Sequence, residues 1–237
     1  MIALSVSDLS LAFGTDVILS DVSFTVNDGE KVGIIGVNGA GKTTLFRLIG
    51  GELTPDSGAV YLQKGHKIGI LEQNPDLSAL PADHTMLDYM ITAFPDLLAA
   101  EEEIARLEEE LARTPKEDEE KLSALSHTLD EVRRRYEAEG GNRFRSLSRG
   151  MLLRLGFTEE QLTQKIATLS GGQYTRLALA RLLATEPDVL MLDVPTNQLD
   201  IDALAWLEGF LANYKKTVLI ISHDRYFLDR TTGKTLQ

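Results

Sequence analysis

Cysteine is absent from the 237 residues, so neither a disulfide nor a thiolate metal site can be built. That fits a reducing compartment, and cytoplasm is the expected location. Long apolar runs are missing as well. The stretch VLII at 218–221 is far too short to span a bilayer, and the N-terminal MIALSVSDLSLAFG has no basic segment leading into an apolar core. Neither secretion nor membrane insertion is expected. Basic side chains are outnumbered, 24 against 36 acidic ones, for a formal net charge of -12. A surface of that sign repels polyanions, so nucleic-acid contact would need a local patch or another segment. The hydrophobic fraction of 43% is enough to bury a proper core, in one large domain or two small ones.

Short β-rich stretches dominate the beginning: Ile2, Leu4 and Val6 alternate, Phe24 and Val26 follow, and then comes the apolar run 32–35. Helical periodicity runs from Thr43 onward, and a second strand-rich piece covers 60–71. The character then changes. Leu97, Ala100, Ile104, Leu107 and Leu111 step by three and four among glutamates, and the stepping returns in Leu122, Leu125, Leu129, Val132 and Tyr136 after Thr114-Pro115-Lys116. Two antiparallel helices zipped along an apolar seam are predicted, an arm over 95–140 closed by Gly140-Gly141. Beyond it the pattern returns to α/β: a helix from about Gln173 to Ala184, a strand around 189–192, a helix through Trp206 and a strand at 218–221. Strands alternating with helices predict a mostly parallel sheet covered by helices. Gln237 falls within what reads as a further strand.

GVNGAGKTT at 36–44 follows the apolar strand and opens a helix, the context that the G-x-x-x-x-G-K-[ST] pattern requires. Gly36, Gly39 and Gly41 let the backbone of Val37, Asn38 and Ala40 turn its N–H groups toward anionic oxygens at a helix N-terminus. Lys42 is expected to reach the β and γ phosphates, and the Thr43 hydroxyl, next to Thr44, to ligate Mg²⁺. Further on, LSGGQ at 169–173 places Ser170 and two glycines before a strongly periodic helix. Ser170 can cap that helix, and bare Gly171-Gly172 backbone lets an anion approach. By itself the stretch is equally an ordinary capped helix.

Together, the phosphate loop, LSGGQ, LMLD before PTNQLD, and ISHD occur in the order found in the nucleotide-binding domain of an ABC-type ATPase, and nearly the whole chain resembles one. The resemblance implies an α/β fold of the P-loop NTPase type, a mixed sheet with a β-rich N-terminal subdomain, a helical subdomain and the inserted hairpin. It makes the chain a single ABC domain, 1–237, that binds ATP and Mg²⁺. In such domains LSGGQ serves in trans, closing over ATP held by a second domain; Ser170, Gly171, Gly172 and Gln173 match it. Gln73 matches the glutamine that senses Mg²⁺ and the γ phosphate, Asp193 the aspartate that holds Mg²⁺ through water, and His223 the histidine near the γ phosphate. Phe13 falls where the family carries an aromatic that stacks on adenine, although a core phenylalanine reads nearly as well. Asp200 falls in the loop that faces the opposite domain.

PTNxLD and SHDRYFLD, with the charged hairpin between Gln73 and Leu169, resemble the ABC-F branch: soluble proteins with two ABC domains in tandem that act on ribosomes. The chain is most like the first of the two. That branch implies a second ABC domain and, through the arm and a linker absent from this sequence, the ribosome as partners. The arm itself carries Glu101–Glu103 and Glu108–Glu110 against one compact basic run, Arg133–Arg135, so strong RNA affinity is not expected of it. One departure stands out. The family's water-orienting glutamate directly follows the aspartate, and here that position is Val194, while Gln198 replaces the usual histidine of PTNHLD. Valine cannot orient water, and losing a positioned base typically costs about 10²–10⁴ in rate. Hydrolysis is therefore expected to be impaired, leaving an ATP-gated binding module or a transporter's energy domain as other readings.

Overall fold

The computed structural model describes residues 1–71 and 83–237. Its strands divide between two sheets. β1 (Ile2–Phe13), β2 (Asp16–Asn27) and β4 (Ser57–Leu62) form an antiparallel sheet in the order β2-β1-β4, while β5 (Ile68–Leu71), β6 (Val189–Asp193), β7 (Thr217–Ile221), β3 (Lys31–Ile34) and β8 (Lys234–Leu236) form a parallel one in the order β5-β6-β7-β3-β8. The strand-rich piece at 60–71 thus supplies one strand to each sheet. The strand pattern at the C-terminus is β8, paired with β3.

Every residue of β6 and β7 is buried, as expected of parallel strands covered on both faces. Alternation then sorts their side chains into two cores. Val189 and Met191 of β6, with Leu219 and Ile221 of β7, join a cluster formed with the antiparallel sheet and α1 (Lys42–Ile49). Leu190, Leu192, Val218 and Ile220 face the other way, into a cluster built from α2 (Met86–Ile91), α5 (Phe144–Arg154), α6 (Gly171–Ala184), α7 (Ile201–Asn213) and α8 (Arg225–Thr231). The parallel sheet is the wall between them. Its register sets Asp193 beside Ile221, Ile221 beside Ile34 and Ile34 beside Leu236, so the loops leaving these strands emerge along one edge. In open α/β sheets the carboxyl edge of the strands is where ligands bind.

α3 (Pro95–Arg113) and α4 (Glu119–Ala138) pack as a hairpin with its own small core of Ala100, Leu107, Leu129 and Val132, flanked by Ile104, Leu111, Leu125 and Tyr136. Pairs between the helices run in opposite senses, Glu101 with Tyr136 and Glu110 with Lys121, so the helices are antiparallel. At the base, Tyr136 Oη lies 2.7 Å from a Glu101 oxygen and 2.8 Å from the Gly141 carbonyl, and Arg145 of α5 pairs with the same glutamate. The basic run is not an open patch: Arg133 pairs with Glu108 and Arg135 with Glu103.

Candidate nucleotide site

The phosphate loop connects β3 to α1 by a tight turn in which the Ala40 N–H donates to the Val37 carbonyl at 3.2 Å. Gly41 is the N-cap of α1 at φ +83°, a left-handed conformation that costs an L-residue about 1–2 kcal/mol. A Cβ there would also lie 3.0 Å from side-chain carbons of Ile18 and Leu19. Without a capping side chain or a first-turn acid, the opening N–H groups of α1 keep their affinity for an anion. Lys42 folds back over the loop, its Nζ donating to the Gly36 and Val37 carbonyls at 2.9 and 2.8 Å.

Beside the loop lies a cavity of about 440 Å³ lined by Ile18, Asn38, Gly39, Gly41, Lys42, Thr43, Thr44, Asp193, Val194, Ile221 and His223. Here the Thr43 hydroxyl donates to Asp193 Oδ2 at 2.6 Å, joining the start of α1 to the end of β6. Asp193 is only 3% exposed. A hydroxyl and a carboxylate side by side form an all-oxygen donor pair, which fits a hard cation such as Mg²⁺ that takes its remaining ligands from phosphate and water. His223, on the loop between β7 and α8, is exposed, and it borders both this cavity and a second one lined by Gly36 and Val37.

Val194 occupies the wall position after Asp193. Its side chain is 9% exposed and packs in the cluster around α1, while its backbone is left-handed at φ +48°. The N–H donates to the Ile221 carbonyl at 2.9 Å. No ionisable group therefore stands at this point of the wall.

Other sequence candidates lie elsewhere. Phe13 ends β1 and is 53% exposed, which excludes the core alternative; it leaves the cavity lining to Ile18 of β2. Ile18 and Ile221 went unnoticed in the sequence because nothing distinguishes them there from ordinary strand residues. Ser170, Gly171, Gly172 and Gln173 are not among the residues lining the cavity. Ser170 caps α6 reciprocally: its hydroxyl accepts from the Gln173 N–H at 3.3 Å, and Gln173 Oε1 accepts from the Ser170 N–H at 2.9 Å. The helix begins at Gly171, two residues earlier than its periodicity suggested, because this cap satisfies its first turn. Asp200 is the N-cap of α7, accepting from the Ala203 N–H at 2.9 Å. Gln73 lies outside the described residues.

Comparison with known proteins agrees with this geometry. The family model described as ABC transporter matches residues 19–197. Among curated proteins, the chain is 38% identical to the tylosin resistance ATP-binding protein TlrC of Streptomyces fradiae, covering 99% of this chain and 42% of that one. It is 40% identical to the energy-dependent translational throttle protein EttA of Escherichia coli K12, covering 93% and 38%. ABC transporter F family member 5 of Arabidopsis thaliana is 36% identical over 93% of the chain and 31% of its own length. The chain therefore spans less than half of each of these relatives. A solved ATP-binding subunit of an ABC transporter superposes with a TM-score of 0.70 at 20% identity, covering 99% of this chain and 86% of that one, which is a likeness of fold.

Proposed function

The chain belongs to the ABC transporter family as an ABC-F-like ATP-binding domain, and from that premise we propose that it is a gated module that closes on Mg-ATP against a second ABC domain and hydrolyses slowly. One observation carries the reading: Lys42, Thr43, Asp193, His223 and the uncapped start of α1 converge on a single cavity whose remaining catalytic position is an apolar Val194.

Each residue has a part that its chemistry supports. Loop amides and Lys42 Nζ hold the phosphates, the ammonium exchanging its two loop carbonyls for phosphate oxygens. Thr43 and Asp193 would hold Mg²⁺, which when bound would supply neutralisation of phosphate charge. His223 faces the γ-phosphate end, and exposed Phe13 offers a stacking face to adenine. Ser170, Gly171, Gly172 and Gln173 serve the nucleotide of the second domain, in keeping with their absence from the lining of their own chain's cavity. Gln73 belongs to the same reading as a contact to metal and γ phosphate. An apolar wall at 194 leaves these binding contacts in place and removes the group that would orient water, so closure outlasts turnover.

The name of one relative, a translational throttle protein, supports a translation-related role in a longer protein, and the ABC-F resemblance of PTNxLD and SHDRYFLD points to a ribosome as the surface on which opening and closing act. The hairpin of α3 and α4 is then an inserted arm on a single ABC domain, available for that contact. The decisive experiment is calorimetry with Mg-ATP. Wild-type protein is expected to bind and Lys42→Ala to lose binding; unchanged affinity in the variant would show that the phosphate-loop assignment is wrong.

A further inference from the structure

The nucleotide cavity lies at the carboxyl edge of the parallel strands. A second cavity, of about 490 Å³, opens at the opposite edge, where 186–188 lead into β6 and 214–216 into β7. Its size is that of a small-molecule site. Trp206, Gly209 and Phe210 of α7 line it, followed by Tyr214 at the C-cap of that helix. Trp206 and Phe210 are half-buried, with ring centroids 5.3 Å apart and planes tilted by 36°. Phe210 and Tyr214 repeat the step at 5.6 Å and 35°. Spacing of four residues brings the three rings onto one helix face. The Tyr214 hydroxyl donates to the Pro187 carbonyl at 2.5 Å, which fixes this ladder of rings to the loop before β6.

Gly209 is the residue of this wall that packing does not explain. Glycine weakens a helix interior, yet a Cβ placed on Gly209 would meet nothing within 4 Å, so no neighbour in the chain requires the side chain to be missing. What its absence keeps open is the cavity, on the side that Trp206 and Phe210 also line. Beyond the helix end, Glu186, Lys215 and Lys216 complete the lining. Lys216 pairs with Asp188 at 3.0 Å and is thereby committed. Lys215 is exposed and makes no ion pair among the described residues. Nearby, Lys31 Nζ donates to the Ala212 carbonyl at 2.6 Å, and its pKa is lowered by burial and by the charge of Lys215. Two ammoniums that crowd each other are relieved by an anion.

We propose that this cavity is a second ligand site, taking a small planar aromatic compound with one negative charge, its ring against Trp206 and Phe210 over Gly209 and its acid group at Lys215. The site goes beyond the nucleotide-binding reading and does not rest on it. Aromatic faces suit a flat ring, and a helix interior without a side chain lets that ring approach the backbone. The Lys215 ammonium selects the sign of the charge. A cationic ring would use the same aromatic faces together with Glu186, but two lysines beside one glutamate set the balance toward an anion.

Trp206 is the single tryptophan of the chain, so its indole N–H gives one NMR resonance that reports on this cavity. The full chain is titrated with naphthoate, with its neutral alcohol naphthylmethanol and with naphthylmethylammonium. Naphthoate is expected to shift the resonance saturably and to bind about threefold or more tighter than the alcohol, the scale of one exposed charge pair, with the ammonium weakest. Lys42→Ala should bind naphthoate as wild type does, which separates this site from the nucleotide cavity. Gly209→Leu, which places a side chain in open space, should fold and lose the response. Lys215→Gln should keep binding and lose the preference for the anion over the alcohol. No saturable shift in wild type, the ammonium binding as tightly as naphthoate, loss of the response in Lys42→Ala or full binding by a folded Gly209→Leu overturns the site. A preference kept in Lys215→Gln overturns the placing of the acid group. The wild-type series decides by itself if Gly209→Leu does not fold.

Discussion

Val194 carries two opposed energies. Left-handed backbone costs a non-glycine residue about 1–2 kcal/mol, and burying a valine side chain stabilises by about 1.5–3 kcal/mol. Packing beside α1 therefore suffices to hold the strain. A glutamate here would bear the same backbone cost and bring a carboxylate to the cavity wall without the apolar contact. Val194→Glu is expected to lower thermal stability while raising ATP turnover about 10²-fold or more, the range of a positioned base. Steady-state phosphate release from the two proteins checks this, and wild-type turnover within about tenfold of the variant would contradict the slow-hydrolysis reading. Val194 was conspicuous in the sequence because the surrounding motif defines its position. Its backbone conformation was not, since nothing in a string of letters marks a left-handed valine.

Among the elements, the α3–α4 hairpin was the most legible. Apolar residues at intervals of three and four name their own seam, and all of them but Leu97 and Leu122 form its core. Leu107, 3% exposed, is central to it. Leu107→Ala should cost the hairpin about 2–4 kcal/mol of local stability, read as faster amide exchange over 95–138 with Mg-ATP affinity unchanged. The charges were less legible, because Arg133–Arg135 reads as a basic run until α3 brings Glu103 and Glu108 against it. At the hairpin base, burial raises the pKa of Glu101, but hydrogen bonds from Arg145 and Tyr136 outweigh it and leave the group below its ordinary 4.5. A depressed carboxylate stabilises the folded form fully above that ordinary value and ceases to as pH falls through the lower, folded one. The α4–α5 junction is expected to loosen as pH falls below that ordinary 4.5, seen as exchange at 136–145, and Glu101→Gln should remove that pH dependence.

For the whole molecule, the LSGGQ segment contributes no residue to the lining of the cavity, and under the proposed function a second domain completes the site. The protein is expected to be monomeric without nucleotide and to pair on adding Mg-ATP, with slow turnover prolonging the pair. Light scattering with and without Mg-ATP checks this, and a tight nucleotide-independent dimer would contradict it. A net charge of -12 adds mutual repulsion between copies, so pairing should strengthen as salt rises toward physiological strength.

By itself the sequence determined the chemistry-bearing motifs, the order of strands and helices around them, and the hairpin seam. Each of these is local: the phosphate loop needs glycines at fixed spacing, and a helix face needs one period. Tertiary structure decided what depends on residues far apart in the chain. It split the strands of 60–71 between two sheets, set Thr43 against Asp193 across 150 positions, and made Ile18 a wall of the cavity. It also laid Gln198 on Gly172. Such contacts depend on register and on which face of a sheet a side chain takes, and these are fixed only when two cores form on opposite sides of the same parallel strands.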